Sequence, residues 1–344
     1  MLAYIGKRLL LMIPTLLGVL TLTFVLIQFV PGGPVDTILA EARAGKGGDT
    51  GGFQARRDLD AKQIADLKKL YGFDKPPLER YVDMLGSFAR FDLGKSFMRN
   101  KDVWPLIKEK LPVSISLGLW TFLISYLLSI PLGIAKAVRQ GTRFDTATTM
   151  LVLVGFAIPG FVLGVLLIVL FAGGSFFDWF PLRGLTSDNW LELSWPARIG
   201  DYLWHLVLPL ICFSIGSFAI VTMLTKNTFL EEIRKQYVLV ARAKGVSERR
   251  VLYRHVFRNA LIPLITGFPT AFVGAFFAGS LLIETLFSLD GLGLLSYQSL
   301  VQRDYPVVMG TLYLLTLIGL IVKLVSDLLY VVVDPRVQFA AVAK

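Results

Sequence analysis

Tyr202–Leu224 reads YLWHLVLPLICFSIGSFAIVTML, and Lys226–Arg258 follows as KNTFLEEIRKQYVLVARAKGVSERRVLYRHVFR. The first stretch carries no Lys, Arg, Asp or Glu over 23 residues. That is enough helix to cross a hydrocarbon core about 30 Å thick, which needs roughly 20 residues. The second stretch holds nine Lys or Arg against three Glu. An apolar helix that runs straight into a short basic loop reads as a membrane span ending on the cytoplasmic side.

Five more stretches have the same character: Leu9–Val30, Leu111–Ala135, Thr146–Ala172, Leu261–Phe287 and Pro306–Val333. The expectation is an all-α membrane protein with six transmembrane helices. Composition agrees, with 54% hydrophobic and only 17% charged residues, against roughly 25% charged in soluble domains. The first span is expected to be retained. Its apolar run is long for a signal peptide, and Pro31-Gly32-Gly33-Pro34 stands where small cleavage-site residues would be. The net charge of +10 lies wholly in Lys7-Arg8, in Lys136–Asp145 and in Lys226–Arg258. The short loops opposite, Asp178–Asp201 and Glu284–Asp304, are each −2. The positive-inside rule then places both termini in the cytoplasm. Topology thus accounts for the basic charge, with no nucleic acid implied. One cysteine, Cys212, and two distant histidines, His205 and His255, leave no disulfide framework or metal cluster to build.

These spans imply four parts: a first helix over 1–30, an extracytoplasmic cap over 31–110, a five-helix core over 111–335 and a tail over 336–344. Within the cap, Ala40–Gly52 is rich in Gly and Ala, Asp60–Gly72 has helical spacing behind a capping box, and Pro76-Pro77 opens another helix through Tyr81 and Leu85. Ala89–Ser96 fits a relaxed P-loop pattern. A phosphate nest needs a buried strand before it, and none is present, so a turn of the outer cap is expected.

Within Lys226–Arg258, Ile233, Tyr237, Val240, Ala241 and Lys244 follow a helical repeat, giving an apolar stripe with Arg and Lys around it. Gly245 suits a left-handed stop. Ser247 is placed to cap a second helix, with Glu248 in its first turn, which returns to the membrane through Val251, Leu252, His255 and Val256. Both arms are tethered to spans, which excludes a DNA-reading helix–turn–helix.

Tyr237–Val251, YVLVARAKGVSERRV, resembles the EAA loop of ABC importer permeases of the oligopeptide/dipeptide family. Leu239 and Val240 replace the Glu and first Ala of the general pattern, Ala241 and Gly245 match it, and His255, Phe257 and Arg258 stand where Ile, Leu and Pro would be. Leu70–Pro76, Phe91–Ser96, Glu284–Phe287 with Gly291–Gly293, Arg303–Pro306, Asp327–Tyr330 and Asp334–Arg336 resemble further motifs of that branch, in order. Pro31–Pro34 and the long first loop look like the Yej-type subgroup, which imports peptides and microcin C.

The resemblance implies a type I ABC importer transmembrane domain with an extended extracytoplasmic first loop. Its coupling loop would be 226–259, with Tyr237, Val240, Ala241, Arg242, Ala243, Lys244, Gly245, Glu248 and Arg249 meeting the ATPase. It implies no catalytic site and no cofactor in this chain. ATP and Mg would be bound by a cytoplasmic ATPase with two nucleotide-binding domains, in one fused chain or two. A second homologous permease subunit, a periplasmic substrate-binding protein and the lipid membrane complete the partners.

Other residues carry weaker expectations. Gly267, Ala271, Ala275 and Gly279 form a four-residue repeat of small side chains, and Gly160 and Gly164 flank Pro159. Such stripes let helices approach closely, at a partner, at the translocation path or within the chain. Glu284 is expected at an extracytoplasmic gate or binding-protein contact, or bonded to the Gly-rich turn after it. Lys323 and Asp327, four apart, are expected as a structural ion pair, and His205 as an interfacial residue beside Trp204. Two other classes compete. An ion-gradient transporter would need more intramembrane carboxylates, and a membrane enzyme a nucleophile with a base. The same fold importing nickel or another small solute is the remaining alternative.

Overall fold

The computed structural model describes residues 2–30, 74–174, 176–277 and 281–333. The Pro31–Pro34 motif, the Ala40–Gly52 and Asp60–Gly72 expectations, Gly279 and the Asp334–Arg336 motif with the tail lie outside them. The described helices are α1 (Leu2–Phe29), α2 (Pro77–Phe88), α3 (Val103–Val138), α4 (Arg143–Ala157), α5 (Gly160–Phe171), α6 (Trp195–Ile233), α7 (Gln236–Ala243), α8 (Ile262–Phe277), α9 (Leu281–Leu286), α10 (Leu292–Val301) and α11 (Tyr305–Val333). Between α7 and α8 the chain runs through one α-turn (Glu248–Arg250), a π-helix (Val251–Val256) and another α-turn (Phe257–Ala260).

Helices α1, α3, α6 and α11 are long and apolar enough to cross a membrane. One expected span differs. Thr146–Ala172 is not one rod: α4 and α5 meet at 97°. Pro159 lacks an N–H and cannot continue α4, so it caps α5 instead. The bend seats Gly160 against α6, where a Cβ would lie 2.6 Å from the carbonyl oxygen of Cys212. Gly133 is as tight, 2.5 Å from Thr225 Cβ. Leu261–Phe287 is helical over Ile262–Phe277 and Leu281–Leu286, with 278–280 outside the described residues. Gly160→Val is expected to force α5 off α6. Overpacking of this kind costs about 1–3 kcal/mol, read as a lower thermal midpoint in detergent, and an unchanged midpoint would refute the close approach.

The chain forms two compact units. One comprises 1–6, 112–294 and 319–344. Its first core gathers Leu117, Leu206, Leu208, Leu210, Cys212, Ile283 and Phe287. Its second gathers Ile134, Ala137, Phe229, Val238, Ala241, Val251, Val256 and Ala260. The other unit comprises 7–111 and 295–318. There the P-loop lookalike is a structural turn. Asp92 Oδ1 accepts from Gly94 N–H at 3.0 Å. Ser96 Oγ donates to the fully buried Asp304, which also accepts from Phe97 N–H at 2.8 Å. Arg99 adds an ion pair to Asp304 at 3.9 Å and a bond to Gln298 at 3.0 Å. The serine that would face Mg²⁺ in a phosphate loop holds a carboxylate here.

Candidate functional site

The segment after α6 is built on a helix stop. Gly245 takes φ +77°, a conformation that costs other L-residues energy. Gly245 N–H then reaches the Arg242 carbonyl at 2.9 Å, and Val246 N–H reaches the Ala241 carbonyl at 3.2 Å. This doubly bonded C-terminal motif turns the chain sharply after α7. Arg242 clamps the turn from outside, with Nε to Glu248 Oε2 at 3.0 Å and Nη2 to Oε1 at 2.5 Å. The guanidinium hydrogen bond holds the Glu248 carboxyl below its ordinary range. Both groups are exposed, so the pair fixes geometry more than it stabilises. Ser247 makes no side-chain cap, contrary to expectation. Its carbonyl accepts from Val251 N–H at 3.0 Å instead, which starts the return helix through the backbone.

Tyr237 ties three pieces together. Its hydroxyl donates to Glu232 Oε2 at 2.7 Å, at the end of α6, and accepts from Asn259 Nδ2 at 3.1 Å, on the return helix. Burial raises the phenol above its ordinary range, so it remains a neutral donor.

The inward face of α7 differs from the expected stripe. Val238 (0% exposed) and Ala241 (9%) pack into the core, while Leu239 (57%) and Val240 (51%) point outward. Val240 is therefore not part of the buried stripe: α7 packs on α3, α6 and the return helix through Val238 and Ala241. Ala243, Lys244 and Arg249 are exposed. What remains is a short helix, anchored on one side, that shows two aliphatic side chains on the other.

A buried charge cluster braces the same core, and sequence reading missed it. Lys136 of α3 is 0% exposed. Its amine donates to Thr149 Oγ1 at 2.7 Å, Thr148 Oγ1 at 2.8 Å and the Asp145 carbonyl at 3.0 Å, and lies 3.3 Å from Asp145 Oδ1. Lys226 of α6 reaches the same carboxylate at 2.6 and 2.8 Å. One aspartate at the start of α4 thus joins α3 and α6. The signal available was Lys136 and Asp145 flanking a tight turn, read only as charges that set orientation.

Other expected residues resolve differently. Glu284 is 1% exposed, and its carboxylate accepts from Leu294 N–H at 2.7 Å and from Gly291 and Gly293 N–H. Its carboxylate is thus bonded to the glycine-rich turn after it, the second of the two expected arrangements. A Cβ at Gly291 would lie 2.8 Å from Oε2. Gly291→Ala is expected to displace the carboxylate and cost about 1.5–3 kcal/mol, the value of a hydrogen bond to a charged group. An unaltered midpoint in a thermal melt would contradict this. His205 is buried, its Nδ1 2.8 Å from the Asp201 carbonyl, and Trp204 beside it is exposed. Lys323 is exposed on α11 and Asp327 Oδ2 is buried, and among the described residues no ion pair joins the two. A Cβ at Gly164 would stand in ordinary van der Waals contact with Cys212 Sγ and Phe287 Cε2, at 3.5 Å each. Gly267 would have nothing within 4 Å of a Cβ among the described residues. Ala271 is half-buried, and the side chain of Ala275 lies outside the described residues. Among the described residues no group of His, Cys, Asp and Glu could hold a metal.

Residues 129–339 match the family described as "Binding-protein-dependent transport system inner membrane component". The chain belongs to this family. It is thus a multi-pass inner-membrane permease subunit of the ABC importer class, with the type I importer fold. Over 98% of its length the permease is 55% identical to "Peptidoglycan transport system permease protein YejB" of Agrobacterium fabrum, 98% of which is covered. It is 53% identical to "Inner membrane ABC transporter permease protein YejB" of Escherichia coli O157:H7, over 98% of this chain and 99% of that one. It is 33% identical to "Di/tripeptide transport system permease protein DppB" of Pseudomonas aeruginosa, with the same coverage of both.

Proposed function

We propose that this permease is one of two related subunits that import oligopeptides or peptide-like compounds, microcin C among them. The relatives named for peptidoglycan and di/tripeptide transport support the cargo class. The termini and the 226–259 segment face the cytoplasm, as the basic loops require. A periplasmic binding protein delivers cargo. A cytoplasmic ATPase, with two nucleotide-binding domains in one chain or two, binds ATP and Mg, and this chain performs no chemistry itself.

The observation that carries the mechanism is the two-faced α7 helix. Its exposed Leu239 and Val240 fit an apolar groove on the ATPase, and its buried Val238 and Ala241 bear on α3 and α6. Closure of the ATPase halves pulls α7. A packed core transmits that displacement, because it is bistable rather than continuously deformable. The spans then rock between inward-open and outward-open. The test is uptake of a labelled tripeptide in cells that lack this chain and in cells with it restored. Restoration of peptide uptake and of microcin C sensitivity is the expected result. Peptide uptake indifferent to the chain, with nickel uptake dependent on it, would reassign the cargo.

A further inference from the structure

The return helix carries two parallel rows that the coupling mechanism leaves unused. Arg250, Arg254 and Arg258 stand four apart, and so do Tyr253, Phe257, Leu261 and Ile265. Together with Ser247 and Arg249 they line one groove of about 710 Å³. In α-helix a row spaced by four drifts round the axis one way, and wider π-helical turns carry it back. The π-helix Val251–Val256 between α-turns therefore keeps both rows nearly straight.

The charge in this groove is unbalanced. Neighbouring cations have partners: Arg242 has Glu248, Lys235 has Glu232 and Arg234 has Gln140. Arg249, Arg250, Arg254 and Arg258 have no carboxylate partner among the described residues, and no acidic residue lines the groove. Arg250, Arg254 and Arg258 are all exposed, as is Tyr253. The basic row ends near Arg258, where the apolar row continues through Leu261 and Ile265 into α8.

We propose that this groove binds an anionic phospholipid of the phosphatidylglycerol or cardiolipin class. The guanidiniums take the phosphodiester, which they match in geometry as well as charge. Tyr253 sits at headgroup depth, as interfacial aromatics do. An acyl chain lies along Leu261 and Ile265. A free phosphate would satisfy the arginines and leave the apolar row uncovered, whereas a lipid covers both. Basic pockets at the inner ends of spans are suited to such headgroups. The orientation proposed above enters only in naming the inner leaflet, and the test below does not depend on it.

The intact assembly is reconstituted in nanodiscs of phosphatidylcholine with increasing phosphatidylglycerol, and retained lipid is counted by native mass spectrometry. The comparison is between the unaltered chain, the triple variant R250Q/R254Q/R258Q, and Arg143→Gln as an exposed basic control outside the groove. The unaltered chain is expected to retain phosphatidylglycerol over phosphatidylcholine. The triple variant should lose that preference by roughly 100-fold, since each basic group near an anionic surface contributes about tenfold or less. Arg143→Gln should keep it. Inorganic phosphate that displaces the lipid completely would show a free-anion site and overturn the proposal. So would equal losses in the triple variant and Arg143→Gln, or an ATPase subunit shed by the triple variant while its lipid count is unchanged.

Discussion

Asp145→Ala is expected to unfold the base of the spans. The carboxylate serves Lys136 and Lys226 together, and Lys136 has no exposed surface through which water could replace it. Removing one partner of a buried ion pair costs about 3–5 kcal/mol, because the other charge stays buried and unpaired. The threonines remain as partners of Lys136, but hydroxyl dipoles do not neutralise a cation. Folded yield from the membrane and the thermal midpoint should both fall sharply. The cause can be separated from loss of packing by adding Lys136→Met. If uncompensated charge is the main cost, the double variant should recover most of the stability that Asp145→Ala loses, a coupling that a two-site cycle reads directly. A double variant as unstable as the sum of its parts would contradict the charge account.

Leu239→Asp combined with Val240→Asp should do the opposite: leave the fold and abolish transport. Both side chains are exposed, so the thermal midpoint should scarcely move, as for most surface substitutions. If the pair is the anchor that an ATPase groove receives, each loss is worth about 2 kcal/mol or more. ATPase association should then drop by roughly 100-fold or more. Val238→Asp is the informative neighbour. It buries a carboxylate in the core and should destroy folding itself. Equal effects of the three substitutions on transport and on stability would mean that α7 has no distinct outer face.

The two faces of α7 show where sequence reading stops. A helical repeat marks which residues share a side, but not which side is buried. That choice is made by Ile134, far away in the chain, together with Phe229 of the preceding helix, and it places Val238 rather than Val240 inside. The long spans were legible because a hydrocarbon core fixes their length and composition, and α1, α3, α6 and α11 follow it. Pro159 announced a bend. Its size depends on how closely Gly160 meets the Cys212 carbonyl, which no local pattern encodes. Of the small residues expected at close packing, Gly160 makes a tight approach and Gly267 makes none among the described residues, while Gly133, Gly291 and Gly310, which no small-residue repeat marked, are about as tight. Gly245 was read correctly because the need for positive φ is local. The bonds from Ser96 to Asp304 and from Lys226 to Asp145 join residues far apart in sequence, so each appeared alone as a motif or a charge.

The central claim is that α7 couples these spans to an ATPase. The most direct measurement is gentle purification of the tagged chain from its native membrane, with the co-purifying subunits identified and ATP hydrolysis assayed beside a Gly245→Trp variant. A Cβ at Gly245 meets no neighbour, but the left-handed backbone there strains any larger residue, so the turn and not the packing is disturbed. The account predicts an ATPase and a second permease in the unaltered complex, and loss of the ATPase or of transport-linked hydrolysis in the variant. A chain that purifies alone and moves its cargo on an ion gradient would contradict it.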